Sequence, residues 1–321
     1  MKATTDPLLD AVRQAIASAP AGKAIQPGHR VPFHWPPHPV SADFHVLPHD
    51  WRERDRLLIG DEEFEVEFAP TSNGLFGRLV GVWNEARGAT KEDVCQALVE
   101  GAQPLLRRQA AAAAALGLRG RLQRPVRGLP PEHLVRLLYC EDRDVVHEAM
   151  VEIEAHASTT EFGPALLEIL RDRAHPMRRS AQWAVLDMLE DMDAFFRTPE
   201  ARAEAVDAVR GILVDAEDDY CRTVFKAGVV LGGHVSDAAS ADALLACIGE
   251  ATPIGRRSAI HAVFHLVEWR PEDRERVLAA LGQAAETDSE PLLRSYASAI
   301  AQDIAAGGTD HVAEPVLPGE A

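Results

Sequence analysis

The tetrapeptide Arg-Arg-Ser-Ala occurs twice in this chain of 321 residues, at 178–181 and again at 256–259, in the same register of a longer recurring segment. Five such segments follow one another from about Pro130. They are Asp144-Val-Val-His147-Glu-Ala-Met150, His175-Pro-Met-Arg178-Arg-Ser-Ala181, Asp219-Tyr-Cys-Arg222-Thr-Val-Phe225, Pro253-Ile-Gly-Arg256-Arg-Ser-Ala259 and Pro291-Leu-Leu-Arg294-Ser-Tyr-Ala297. Their spacing falls within the period of roughly 30 to 47 residues typical of helical repeats. Each segment follows an amphipathic stretch rich in Leu: Leu134 to Leu138, Leu166 to Leu170, Val206 to Leu213, Leu244 to Ile248, and Val277 to Leu281. Apolar residues at helical spacing, with Pro130, Pro199 and Pro271 near helix starts, predict a unit of helix, turn, helix.

The recurring segments resemble the second helix of the HEAT-repeat family, which carries Asp or Pro at its start, an apolar residue two on, Arg three on and Ala six on. The resemblance covers about residues 130–304, and it implies a mainly α fold, a HEAT-type α-solenoid of helical hairpins whose second helices line a concave face. His147 in place of Arg, Met150 and Phe225 in place of Ala, and a longer approach to Asp219 depart from the pattern. The family resemblance also implies that Arg178, Arg222, Arg256 and Arg294 pair with acidic residues of neighbouring repeats.

The N-terminal third reads differently. Residues 1–26 contain one short helix, Leu8 to Ile16, and residues 27–60 are so dense in Pro and His that an extended segment is expected. Its histidines, His29, His34, His38, His45 and His49, raise a transition-metal reading. In residues 61–89 the alternation Phe64-Glu-Val66-Glu-Phe68 and the turn Thr71-Ser72-Asn73-Gly74, with Leu79 to Trp83 returning, predict a β-hairpin that caps the solenoid, while Leu75 to Ala86 also reads as a helix. Thr90-Lys-Glu-Asp93 is a capping box that opens a bridging helix within residues 90–129, running through Leu105 and on toward Leu116 despite Pro104. Residues 305–321 lack periodicity and read as a disordered tail.

Composition excludes several classes. No apolar run approaches the roughly 20 residues that span a bilayer, and the first residues lack a signal peptide's apolar core, so a cytoplasmic protein is expected. The formal charge of −17 makes nucleic acid an unfavoured partner, because phosphates call for a surplus of Lys and Arg. Cys95, Cys140, Cys221 and Cys247 lie far apart without a C-x-x-C pair, which predicts reduced, mostly buried thiols and no zinc knuckle. No cofactor is expected.

With Ala259, Ala262, Val263 and Leu266 as the buried face, 3.6 residues per turn puts Arg257, His261, Phe264, His265 and Glu268 on the opposite side. The same register elsewhere gives a row: Glu148, Glu152, His156; Arg179, Trp183, Asp187, Glu190; Thr223, Ala227, Leu231, His234; Ser295, Asp303. The expected function is a scaffold or adaptor that holds a partner protein or peptide on this row. Trp183, His261, Phe264 and His265 would be anchors, Arg179 and Arg257 charge partners, and Asp187 and Glu268 further contacts.

Enzyme readings remain beside it. Trp183-Ala-Val-Leu-Asp187 is similar to the Trp-x-x-x-Asp pattern of HEAT-like alkylpurine DNA glycosylases. That likeness implies Asp187 as stabiliser of the cationic sugar, Trp183 packed on the nucleotide, and Arg222 steering phosphate. His261 and His265, four apart with Glu268 three further on and His234 from another helix, have the spacing of a metal set. His147-Glu148 resembles the His-Glu pairs of deoxyhypusine hydroxylases, which use four such pairs where this chain has one. Phycobilin lyases share the repeat class, without a distinctive residue here.

Overall fold

The computed structural model describes residues 6–18, 53–72, 74–82, 84–122, 126–216, 222–235, 237–308 and 312–318. The chain divides into two compact units, one of residues 30–125 and one of residues 1–29 with 126–321. The five histidines of the Pro/His-rich stretch lie outside the described residues. So does Cys221, while Cys140 and Cys247 are buried and Cys95 partly so. Among the described residues no helix is long and apolar enough to cross a membrane. The chain's first helix, α1 (Pro7–Ala17), opens on an Asp6 cap and buries Leu8, Ala11, Val12 and Ala15.

The smaller unit holds four antiparallel strands in sequence order, β1 (Glu53–Ile59), β2 (Glu62–Thr71), β3 (Gly74–Leu79) and β4 (Glu85–Gly88), followed by α2 (Lys91–Ala115). The expected hairpin is thus the middle of a larger sheet, but its return strand is β3, directly after the turn, and residues 80–82, expected within that strand, form the next turn; β1 occupies the end of the stretch expected to be merely extended. Leu57 pairs with Phe64 and Val66 with Leu79, so alternate residues of β2 meet one apolar face. Phe64, Val66 and Phe68 bury there with Val94 and Leu98 of α2. α2 thus shares the core of this sheet's unit. A Cβ at Gly77 would stand 2.5 Å from Val94 Cγ1, so glycine lets helix and sheet approach. The Thr90–Asp93 capping box starts α2, which continues past Pro104. The alternative of a helix over residues 75–86 is replaced by β3, a turn and β4.

The larger unit is helical. Its elements are α3 (Pro131–Leu137), α4 (Arg143–Glu154), α5 (Gly163–Arg171), α6 (Arg178–Met188), the short α7 (Met192–Phe195), α8 (Pro199–Val214), α9 (Arg222–Val229), α10 (Ala238–Glu250), α11 (Pro253–Trp269), α12 (Arg274–Thr287) and α13 (Pro291–Ala306). Helices pair along the chain as α3 with α4, α5 with α6, α8 with α9, α10 with α11 and α12 with α13. Each pair also packs on the next. α5, α8, α10 and α12 form one row, and α4, α6, α9, α11 and α13 a second. α1 packs on both α3 and α5, and so supplies a helix to the first row although it ends at residue 17 and α3 begins at residue 131.

Successive pairs are tied by arginines. Arg256 donates from Nε and Nη2 to the Asp288 carboxylate, both at 2.8 Å, and Arg173 reaches Asp215 at 2.9 Å. Arg294, expected to pair with an acid of a neighbouring repeat, instead donates within its own pair to the Asp288 carbonyl at 2.6 Å. Arg222, by contrast, is exposed at the start of α9. α9 runs into a π-helical turn, Val230–Val235. Gly232 is required there, because a Cβ would come 2.3 Å from the Ala262 carbonyl oxygen of α11.

Candidate functional site

The second row of helices brings most of the singled-out side chains onto one stretch of the larger unit, but not all of them reach its surface. On α6, Trp183 and Asp187 stand one turn apart and are both half-buried. Lys226 of α9 joins them. Its Nζ lies 2.9 Å from Asp187 Oδ1 and 5.9 Å from the Trp183 ring centre, and it also pairs with Glu190. Burial opposes the charge on Lys226, yet hydrogen bonds to Glu190 and Asp187 outweigh it and hold the ammonium above its ordinary range. Asp187 therefore faces a resident cation. That pairing works against the carboxylate stabilising a cationic sugar, and it is Lys226, one turn beyond Arg222, that meets the Trp183 and Asp187 pair.

The π turn carries His234 onto the same stretch, with Nε2 3.9 Å from Glu190 Oε1. Burial is the main cause that lowers its pKa, against the opposing pull of Glu190. A Cβ at Gly233 would stand 3.4 Å from His265 Cβ and 4.0 Å from Trp269 Nε1, which places the turn against the C-terminal half of α11. Trp269 itself is 63 % exposed. Thr223, Ala227 and Leu231, expected on the face, are buried in helix packing, and Phe225 and Lys226 take their place. In α9 the side chains on this stretch are offset by about one residue from those expected, a change of direction of about 100°.

α11 departs from the expectation of one buried and one open side. Arg257, His261 and Phe264 are all buried, at 2 %, 7 % and 7 % exposure, whereas His265 is half-buried and Glu268 exposed. For Arg257 and His261 the physical reason is a covering segment. Residues 312–318, from the stretch expected to be a disordered tail, have neither helix nor strand but lie on α11. Arg257 Nη1 donates to the Pro315 carbonyl at 2.8 Å, Glu314 Oε1 is 3.8 Å from His261 Nδ1, and Leu317 is only 3 % exposed. Beneath that segment, His261 Nδ1 is 3.2 Å from Tyr296 Oη of α13, and its ring packs on Phe225 with centres 4.7 Å apart.

His261 and His265 meet edge to face with ring centres 5.7 Å apart. His261 is engaged by Tyr296 and Glu314, and Glu268 points to solvent. Among the described residues no group of three or more His, Cys, Asp or Glu side chains is arranged to hold a metal ion. Arg179 is also buried: it donates to Gln182 Oε1 at 3.2 Å, and its carbonyl accepts from Thr223 Oγ1 at 2.7 Å. It ties α6 to α9 rather than standing at a surface. In α4, Glu148 is exposed and His147 and Glu152 are half-buried, as is His156 just beyond the helix end.

Sequence reasoning missed Lys226, Trp269, Tyr296 and the segment around Leu317. Trp269 was legible as a bulky aromatic at a helix end, and Val316-Leu317 as an apolar pair within a polar tail. The pairing of Lys226 with α6 carried no local signal, since both carboxylates lie more than 35 residues away. Comparison with family models, with curated proteins and with solved structures finds no match to this chain.

Proposed function

We propose that the larger unit is a HEAT-type solenoid, and that its second row of helices is the binding face of a cytoplasmic scaffold or adaptor for a partner protein or peptide. The observation that carries this reading is the exposed aromatic beside mixed charges: Trp269 stands 63 % exposed next to His265, with His234, Lys226 and Trp183 following across the adjacent helices. Trp is among the residue types that most often carry the binding energy of an interface. The packing of each helix pair on the next, and the Arg256–Asp288 tie that the family resemblance implied, support the solenoid part of the reading. The resident Lys226 beside Asp187 and the burial of His261 favour binding over catalysis at these residues.

The test is comparative capture. Wild-type protein and the Trp269→Ala and Trp183→Ala variants serve as baits in an extract of the native host, with quantitative mass spectrometry and a thermal unfolding curve for each bait. The reading expects a protein retained by wild type and depleted by about tenfold or more with Trp269→Ala, at a melting temperature within about 2 °C of wild type. Identical retention by all three baits would sink it.

A further inference from the structure

Segment 312–318 does more than fill space. It has the form of a bound peptide: α11 holds a main-chain carbonyl at Pro315 through the Arg257 guanidinium and meets a carboxylate at Glu314 with the His261 imidazole, and two residues further on the Leu317 side chain is removed almost wholly from water. Ala313 and Val316, which flank Glu314 and Pro315, are exposed. Pro315 and Pro318 bias the residues before them toward extended backbone and reduce the entropy lost when the segment docks. In a chain of net charge −17, a seat built from a buried Arg and a His is locally suited to an acidic ligand.

We propose that this seat on α11 is a recognition site for an extended peptide of the pattern Glu-Pro-x-Leu, and that the chain's own C-terminal segment is its resident competitor. A partner segment carrying the same acid, proline and aliphatic residue displaces the tail and docks beside the Trp269 anchor. This rests on the binding-face reading above and names the chemistry of its ligand. Tethering gives the tail an effective concentration on the order of millimolar, so a partner of modest affinity is excluded until its own concentration, or additional contacts at Trp269, overcome it. Release therefore costs no unfolding of a helix, only exchange of one short segment for another.

The experiment uses the full chain and one probe, a fluorescein-labelled peptide of residues 309–321. The probe is titrated by anisotropy into wild type and into the double variant Glu314→Lys/Leu317→Ser, whose own tail has lost both anchors. The double variant is expected to bind the probe, wild type to bind it at least about tenfold more weakly, and a probe with the same two changes not to bind either. Equal binding to both proteins, or binding to neither, overturns the proposal. Should the double variant lose helical circular dichroism, Leu317→Ala alone takes its place and the same two outcomes decide. Probe binding that fails while capture through Trp269 persists rejects the tail's role alone; capture that fails while the probe binds rejects the adaptor reading alone.

Discussion

Asp288→Ala is expected to destabilise the larger unit by about 3–5 kcal/mol, the usual cost of leaving one member of a buried ion pair without its partner. The magnitude follows from the geometry. Asp288 is 3 % exposed and Arg256 12 %, and the carboxylate accepts two guanidinium hydrogen bonds at 2.8 Å as well as the Glu290 backbone N–H at 2.8 Å. After truncation Arg256 retains the Ala251 carbonyl and the Ser289 hydroxyl, neither of which neutralises it. At about 2–4 °C per kcal/mol for a unit of this size, the melting temperature followed by circular dichroism falls by about 6–20 °C. Asp215→Ala is the internal comparison. It breaks another Arg-to-Asp tie between successive pairs, but the Arg173 and Asp215 side chains are 39 % and 55 % exposed and Arg173 keeps two carbonyl acceptors, so the loss is about 0–1 kcal/mol. Replacing both members by apolar residues, Arg256→Met with Asp288→Leu, recovers most of the Asp288→Ala loss. Equal losses for Asp288→Ala and Asp215→Ala would refute the argument that burial sets the worth of these ties.

Other expectations follow from single features. Gly232→Ala drives a methyl to within 2.3 Å of the Ala262 carbonyl oxygen and lowers stability by about 1–3 kcal/mol, whereas Gly249→Ala in α10 meets open space and raises it by about 0.5–1 kcal/mol; denaturant unfolding of both variants checks the opposite signs. Lys226→Met removes a positive charge that depresses the His234 pKa and leaves Glu190, which raises it, so the His234 imidazole titrates at higher pH in the variant, as followed by NMR. His175 is buried on Tyr139, with ring centres 4.4 Å apart, and accepts the Met177 N–H at Nδ1. Burial lowers its pKa below the ordinary 6.5, so the unfolded chain takes up the proton first. The stability His175 contributes is complete well above pH 6.5 and declines as pH falls below it toward the folded value. His175→Asn flattens that slope in melting curves collected between pH 8 and 5, and an unchanged slope would contradict the assignment.

The helical pairs were legible because their signals are local. Apolar spacing, Pro near helix starts and the Thr90–Asp93 capping box each depend on residues within one or two turns, and they point to the paired helices α3 to α6 and α8 to α13 and to the start of α2, but not to the short α7. Arg256 was legible as a structural residue from its place in the recurring segment. What depended on distant partners was lost. The apolar side of α1 gave no sign that it fits between α3 and α5. β1 was obscured because Arg54, Asp55 and Arg56 face solvent and suppress its alternation, while its order comes from pairing with β2. The burial of Arg257 and His261 could not be read from α11, because the covering Glu314, Pro315 and Leu317 come from beyond its neighbouring helix. A helix wheel assigns direction and not what lies in that direction.

Competition on the captured complex tests the account's central claim most directly. A partner retained by wild-type protein and depleted by Trp269→Ala is held on the bait and washed with increasing concentrations of the unlabelled 309–321 peptide. If the row of second helices is one binding face and the tail its internal competitor, the peptide releases the partner in a saturable manner, and its Glu314→Lys/Leu317→Ser form does not. A partner that stays bound at every peptide concentration, or leaves equally with both peptides, would contradict the account.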